Sequence, residues 1–216
     1  MPRNILYSVG IGPDVQGVTR EEFAAKIAQV LSDPRGWRKY GFEFREVPER
    51  EGAVHVRLES SDDAASLCGI SGFSCWRERP ADIVINLGNW MGGSRSQLPL
   101  DRYRTYVINH EWGHALGLEH QKCPAAECTR RGMTTCPASV MQQMTRGAEH
   151  IAPCVEADWP LDPDWRIDDP TRRPRGGPSA SLVLLVFALV IVLVACLISA
   201  VTGGSSRSNA MERSPC

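Results

Sequence analysis

Apolar and polar positions divide this chain into a patterned stretch and a uniformly apolar one. Near the amino terminus, Ile5-Leu6-Tyr7-Ser8-Val9 is a short run of strand character. Thr19-Arg20-Glu21-Glu22 then forms a capping box, with Thr19 at the N-cap and Glu22 three residues on. It predicts a helix to about Leu31 that gathers Phe23, Ile27, Val30 and Leu31 on one face. Pro34-Arg35-Gly36 ends that helix. Three more strands are predicted, over Phe42 to Val47, Val54 to Leu58 and Ile83 to Leu87; Val54, Val56 and Leu58 alternate with polar residues. Gly88 to Ser96 reads as a glycine-rich loop and Leu100 to Leu118 as a second helix. Beyond Glu119 the periodicity fades among Pro, Cys and Gly. This order predicts an α+β fold, with helices packed against one sheet.

The uniformly apolar stretch is Leu182 to Val201, LVLLVFALVIVLVACLISAV, in which Ser199 is the one clearly polar residue. At 1.5 Å per residue it covers about 30 Å, the hydrocarbon thickness of a bilayer, and it lacks the polar stripe of a globular helix. The expected organisation is a folded domain over 1–167, a Pro/Gly/Arg-rich linker over 168–180, a transmembrane helix over 181–202 and a short disordered tail over 203–216. The lipid bilayer is thus an expected partner through residues 182–201. Met1-Pro2-Arg3-Asn4 runs directly into Ile5, without the apolar region of a signal peptide. Arg172, Arg173 and Arg175 on one flank and Arg207 and Arg213 on the other give little charge asymmetry to orient the span. A net charge of -1, from 24 basic and 25 acidic side chains, argues against nucleic acid as a partner.

Cysteines bear on the compartment. Outside the apolar stretch and the chain end stand Cys68, Cys75, Cys123, Cys128, Cys136 and Cys154. Six cysteines allow fifteen pairings, and no C-x-x-C spacing marks a zinc cluster. The expectation is three disulfides in an oxidising, extracytoplasmic compartment; the alternative is reduced thiols in a cytosolic domain.

The chemistry is concentrated in the second predicted helix, where His110-Glu111-Trp112-Gly113-His114-Ala115-Leu116-Gly117-Leu118-Glu119-His120 has the form H-E-x-x-H-x-x-G-x-x-H. His110 and His114 lie one helical turn apart, so both imidazoles project from one face, a spacing suited to Zn2+. Glu111 stands about 100° round the helix, close to the metal yet free to act as general base on zinc-activated water. Gly117 allows a left-handed exit from the helix, and the turn brings back His120 as third ligand. Three protein ligands leave a fourth position open, the mark of a catalytic site. His55 on an alternating strand and His150 in a loop read as structural or surface histidines.

This motif resembles that of the metzincin metalloproteases. The resemblance implies a metzincin-like catalytic domain: a twisted mixed sheet, two main helices and an irregular C-terminal subdomain. It also implies one catalytic Zn2+ on His110, His114 and His120, with Glu111 as general base. A Met-turn beneath the metal is implied too, with Met141 of Ser139-Val140-Met141 in that role and Met144 as its rival. Gln142 and Gln143 stand where some members carry a metal-binding tyrosine, and the cysteine-bearing propeptide motif of matrixins is absent. Substrate in that family lies along an edge strand, for which Ile83 to Leu87 is the candidate here. Trp90 falls either on the cleft rim or in the core.

A nearer likeness is to a little-characterised actinobacterial family of secreted or membrane-anchored metzincin-like proteins. It rests on Asp33-Pro34-Arg35-Gly36-Trp37, Cys68, Ser74-Cys75, Val84-Ile85-Asn86-Leu87 with Trp90, Tyr103-Arg104, Asn109-His110-Glu111, Cys123-Pro124, Val140-Met141-Gln142-Gln143, and Cys154 before Trp159-Pro160. It implies the pairs Cys68–Cys75 and Cys123–Cys154; an inserted segment, Ala125 to Pro137, adds Cys128 and Cys136 as a third pair. The resulting expectation is a membrane-tethered zinc endopeptidase acting on a peptide or protein substrate. A non-catalytic zinc-stabilised binding module on a membrane and a zinc amidase acting on a non-protein substrate are the competing readings.

Overall fold

The structure, a computed structural model, describes residues 3–51 and 53–161, all within one compact unit that ends at Pro170. The apolar stretch from Leu182 to Val201 lies outside the described residues; among those described, no helix is long and apolar enough to cross a membrane.

Five strands form one mixed sheet in the order β2-β1-β3-β5-β4: β1 (Arg3–Ile11), β2 (Phe42–Glu46), β3 (Val54–Glu59), β4 (Cys75–Arg77) and β5 (Asp82–Asn86). β1 is parallel to both β2 and β3, and β3 is parallel to β5; β4 alone runs antiparallel, pairing Trp76 with Ile83. Parallel neighbours need crossover connections, and helices supply them. Helix α1 (Arg20–Ser32) starts on the predicted capping box: Glu22 N–H donates to Thr19 Oγ1 at 3.2 Å, and Thr19 N–H to the Glu22 carboxylate at 2.9 Å. Its buried face is the predicted one.

Several elements depart from expectation. Helix α2 (Ser61–Cys68) and helix α3 (Leu87–Gly92) lie where no helix is predicted, and β4 where no strand is. The polar sequence SDDAASLC carries no apolar stripe, and α2 starts because Ser60 Oγ accepts from Asp63 N–H at 3.2 Å. In the same way α3 replaces the first part of the expected glycine-rich loop, capped by Asn86 Oδ1 accepting from Asn89 N–H at 3.1 Å. The expected edge strand is also corrected: β5 lies inside the sheet between β3 and β4, buried along its length, and β4 forms the edge.

The core lies between the sheet and the two longer helices, α1 and α4 (Leu100–Ala115). Trp112 of α4 is fully buried edge-on to Tyr7 and Phe44, with centroids 5.9 and 4.9 Å away. Trp90 is buried against Phe23 at 5.0 Å, which settles it in the core. The stretch after Cys154 is bound onto α4: Asn109 Nδ2 donates to the Asp158 carbonyl at 2.9 Å, and Arg102 pairs with the Asp158 carboxylate at 2.7 Å. Short helices α5 (Ala125–Arg130) and α6 (Ala148–Ile151) complete the irregular end. Disulfides join Cys68 to Cys75 and Cys123 to Cys154, the pairs the resemblance implies, and Cys128 to Cys136, the pair expected of the inserted segment. Three disulfides favour an oxidising, extracytoplasmic setting.

Candidate metal centre

Helix α4 carries the first two histidines one turn apart, and its end is built to return the third. Gly117, at φ +91°, sits just beyond the last turn: its N–H donates to the His114 carbonyl at 2.8 Å, and Leu118 N–H to the Gly113 carbonyl at 2.9 Å. This paired arrangement is a Schellman motif, which needs a left-handed residue where Gly117 stands. The helix therefore stops at Ala115, three residues before the predicted end, and the chain turns back. His120 then faces His110 and His114: His114 Nε2 lies 3.3 Å from His110 Nε2 and 3.2 Å from His120 Nε2.

Backbone carbonyls fix the tautomers. His110 Nδ1 lies 2.7 Å from the Val140 carbonyl and His114 Nδ1 lies 2.8 Å from the Leu118 carbonyl. A carbonyl only accepts, so each Nδ1 carries the proton and each Nε2 points a lone pair into the shared space. Two acceptors 3.3 Å apart repel one another, whereas a cation between them turns the arrangement favourable. Tetrahedral zinc, with Zn–N of about 2.0–2.1 Å, sets neighbouring nitrogens roughly 3.3–3.4 Å apart, close to the spacing observed. Burial, repulsion from His114 and a further contribution from His120 hold His110 well below the usual imidazole range; burial and the Arg146 charge lower His120. Both are therefore neutral and able to ligate at pH 7. The residues fit a zinc ion, and they form a group that could hold one.

Below the cluster runs the turn Ser139–Gln142. Gln142 N–H donates to the Ser139 carbonyl at 2.9 Å, and Met141 N–H to Ser139 Oγ at 3.0 Å. Met141 is fully buried against Gly113, where an added Cβ would collide with the Met141 sulfur and lie 3.2 Å from Trp37. Met144, the rival, sits farther on in a 3-10 turn, Met144–Arg146, and its N–H donates to Tyr106 Oη at 3.0 Å. Gly113→Ala is expected to push the turn away from α4 and cost about 1–3 kcal/mol, the usual range for overpacking. Thermal unfolding would register it as a lowered Tm, and an unchanged Tm would show that the turn can give way.

Glu111 is buried and its Oε2 finds no hydrogen-bond partner among the described residues. Burial alone pushes its carboxyl from the ordinary 4.5 up to about 8. The sign of the resulting pH dependence follows. Between pH 4.5 and 8 the unfolded chain gives up a proton that the folded, metal-free protein keeps, so stability falls as pH rises through that window. Glu111→Gln is thus expected to stabilise metal-free protein on the order of 3 kcal/mol at pH 7.5 and hardly at all at pH 4. Denaturant midpoints at the two pH values would check this; equal gains at both would contradict it.

Of the predicted residues, His110, His114 and His120 are brought together, while Glu111 is buried on the same helix and Met141 packs against Gly113 of that helix. His55 is instead bonded to Ser8, its Nδ1 2.6 Å from Ser8 Oγ, and His150 is exposed on α6. Two neighbours escaped the sequence reading. Tyr106, one turn before His110, donates its hydroxyl to the Gln142 carbonyl at 2.9 Å and lies 3.4 Å from His110 Nδ1. Its helical spacing from His110 was a legible signal. Arg146 reaches the cluster through a tertiary turn, which no local pattern marks.

Comparison with known proteins adds little beyond the chain's kinship. A profile described as a protein of unknown function, DUF3152, matches residues 4–171. No curated protein matches. Two solved structures of myroilysin are similar in part. The first is 18% identical, with a TM-score of 0.34, covering 58% of this chain and 49% of that one. The second is 14% identical, with a TM-score of 0.33, covering 61% and 60%. This chain thus spans about half to three-fifths of the length of those structures.

Proposed function

We infer the function from the site itself, since the chain belongs to DUF3152, a family of proteins of unknown function. The reading is a zinc-dependent endopeptidase that resembles the metzincins, tethered to a membrane through residues 182–201. The observation that carries it is the convergence of three imidazoles, with His114 Nε2 3.3 and 3.2 Å from the other two Nε2 atoms, on a helix that also buries a carboxyl whose Oε2 has no partner among the described residues. A purely structural metal site has no use for such a carboxyl, which weighs against a zinc-stabilised binding module.

A zinc ion on His110, His114 and His120 supplies Lewis-acid chemistry, lowering the pKa of water toward 7 and polarising a carbonyl. Glu111 accepts the proton of the attacking water through Oε2 and passes it to the leaving amine. The carbonyls of Val140 and Leu118 keep the imidazoles aimed, and Tyr106 ties the Ser139–Gln142 turn to His110. Edge strand β4 offers an extended peptide a row of backbone hydrogen-bonding groups. On this reading residues 1–167 are the catalytic domain, 168–180 the linker and 203–216 the tail, with the domain held in an oxidising compartment.

Metal analysis of the purified full-length chain in detergent, combined with digestion of a broad peptide library, tests the proposal. The expected result is one zinc per chain and cleavage that a chelator stops and added zinc restores. Absence of bound zinc would overturn the metal centre. Bound zinc with cleavage of amide-bearing non-peptides alone would favour the amidase.

A further inference from the structure

The turn Met144–Arg146 brings to the metal centre a cation that hydrolysis as described does not use. Its position is fixed from several directions. Met144 N–H donates to Tyr106 Oη at 3.0 Å, Ser94 Oγ donates to the Thr145 carbonyl at 3.1 Å, and Thr145 Oγ1 lies 3.3 Å from Tyr103 Oη. Tyr106 in turn touches His110, so the turn is tied to the cluster. From this turn the Arg146 guanidinium extends over the ring of Phe73, 5.1 Å from its centroid. Phe73 belongs to the loop closed by Cys68–Cys75, two residues before edge strand β4. Arg146 therefore links the turn tied to His110 with the loop that precedes edge strand β4.

One of its side-chain donors is left without a partner among the described residues. Nε is buried with no hydrogen-bond acceptor, and no carboxylate among the described residues pairs with Arg146. Arg20, Arg35, Arg57, Arg77 and Arg102, by contrast, each pair with a carboxylate. A guanidinium is charged at any working pH, and a buried N–H without an acceptor costs free energy that an incoming acceptor recovers. A second cation beside a zinc site adds repulsion, which an anion brought by the substrate would relieve. Stacking on Phe73 holds the guanidinium plane while leaving its edge able to meet a carboxylate in bidentate fashion.

We propose that Arg146 forms a carboxylate-binding subsite beside the histidine cluster, so that preferred substrates are peptides presenting an acidic side chain or a free C-terminal carboxylate next to the bond that is cut. The proposal rests on the hydrolytic reading of the site, but binding can be tested without turnover. The probes are two pools of decapeptides with randomised flanks, amidated at the C-terminus and differing in one fixed central residue, Glu or Gln. A third pool has the central Gln and a free C-terminus.

Equilibrium dialysis against zinc-loaded Glu111→Gln protein should show the Glu pool, the free-carboxylate pool or both bound about tenfold or more tightly than the neutral pool, and which one identifies the source. Adding Arg146→Gln should bring the ratio to about one, and Arg146→Lys should keep part of it, because a point charge lacks the fork. Zinc content and Tm verify that each variant is folded. A ratio near one with Arg146 present, or a ratio untouched by both substitutions, would overturn the subsite. So would equal kcat/KM of the Glu111 protein for all pools with kcat lowered alike by Arg146→Gln, because Arg146 would then act on the scissile carbonyl. If the Glu111 protein cleaves none of the pools while the binding ratio persists, the hydrolytic reading fails and the subsite stands.

Discussion

Replacing Glu111 by glutamine is expected to leave zinc in the cluster and to lower peptide turnover by about 10²–10⁴-fold, the range contributed by a positioned general base. Glutamine keeps the shape of the side chain but cannot take a proton, and the three imidazoles owe their positions to other groups. His110 and His114 are aimed by the Val140 and Leu118 carbonyls. The loss should fall on kcat, with zinc stoichiometry unchanged by metal analysis. A variant that loses zinc along with activity would show that Glu111 supports the metal rather than the chemistry.

Replacing His114 by alanine should have the opposite signature, with metal, activity and part of the stability all lost. His114 Nε2 lies within 3.3 Å of both other nitrogens, so its removal leaves two ligands that do not enclose an ion. An ion present at a thousandfold excess over its Kd stabilises the folded state by about 4 kcal/mol. In a domain of this size that corresponds to a Tm difference of roughly 8–16 °C. The parent protein should therefore melt at a markedly lower temperature after chelation, and the variant should melt at one temperature with or without zinc. A variant that still responds to zinc would mean that other side chains complete the site.

What could be read from the sequence depended on how local the cause was. The two histidines on α4, the capping box of α1 and the exit at Gly117 are each set by residues within one or two turns, and each stands where its spacing predicts. Elements held by neighbours distant in the chain were hidden. β4 has three residues and no alternation to reveal it; its pairing with β5 makes it a strand, and its presence moved the sheet edge away from Ile83. In α2 only Ala64 is buried, so no apolar period marks the helix. The segment from Ser139 to Arg146 looked irregular because its order comes from α4: Tyr106 gathers Gln142 and Met144, and Gly113 makes room for Met141. Arg146 reads as one more surface arginine until the fold sets it over Phe73.

The Cys123–Cys154 bond has a consequence for when the site becomes competent. His110 and His114 require one helix, which forms quickly and in any redox setting. His120 lies past the glycine turn, and it is steadied by Gln121 N–H donating to the Met141 carbonyl at 3.1 Å and by the disulfide three residues on. Closing a sequence separation of 31 removes about 3–4 kcal/mol of chain entropy from the alternatives open to that segment. A newly made chain with free thiols thus holds two arms of the cluster firmly and the third loosely. Reducing the disulfides is therefore expected to loosen His120 while leaving His110 and His114 on their helix.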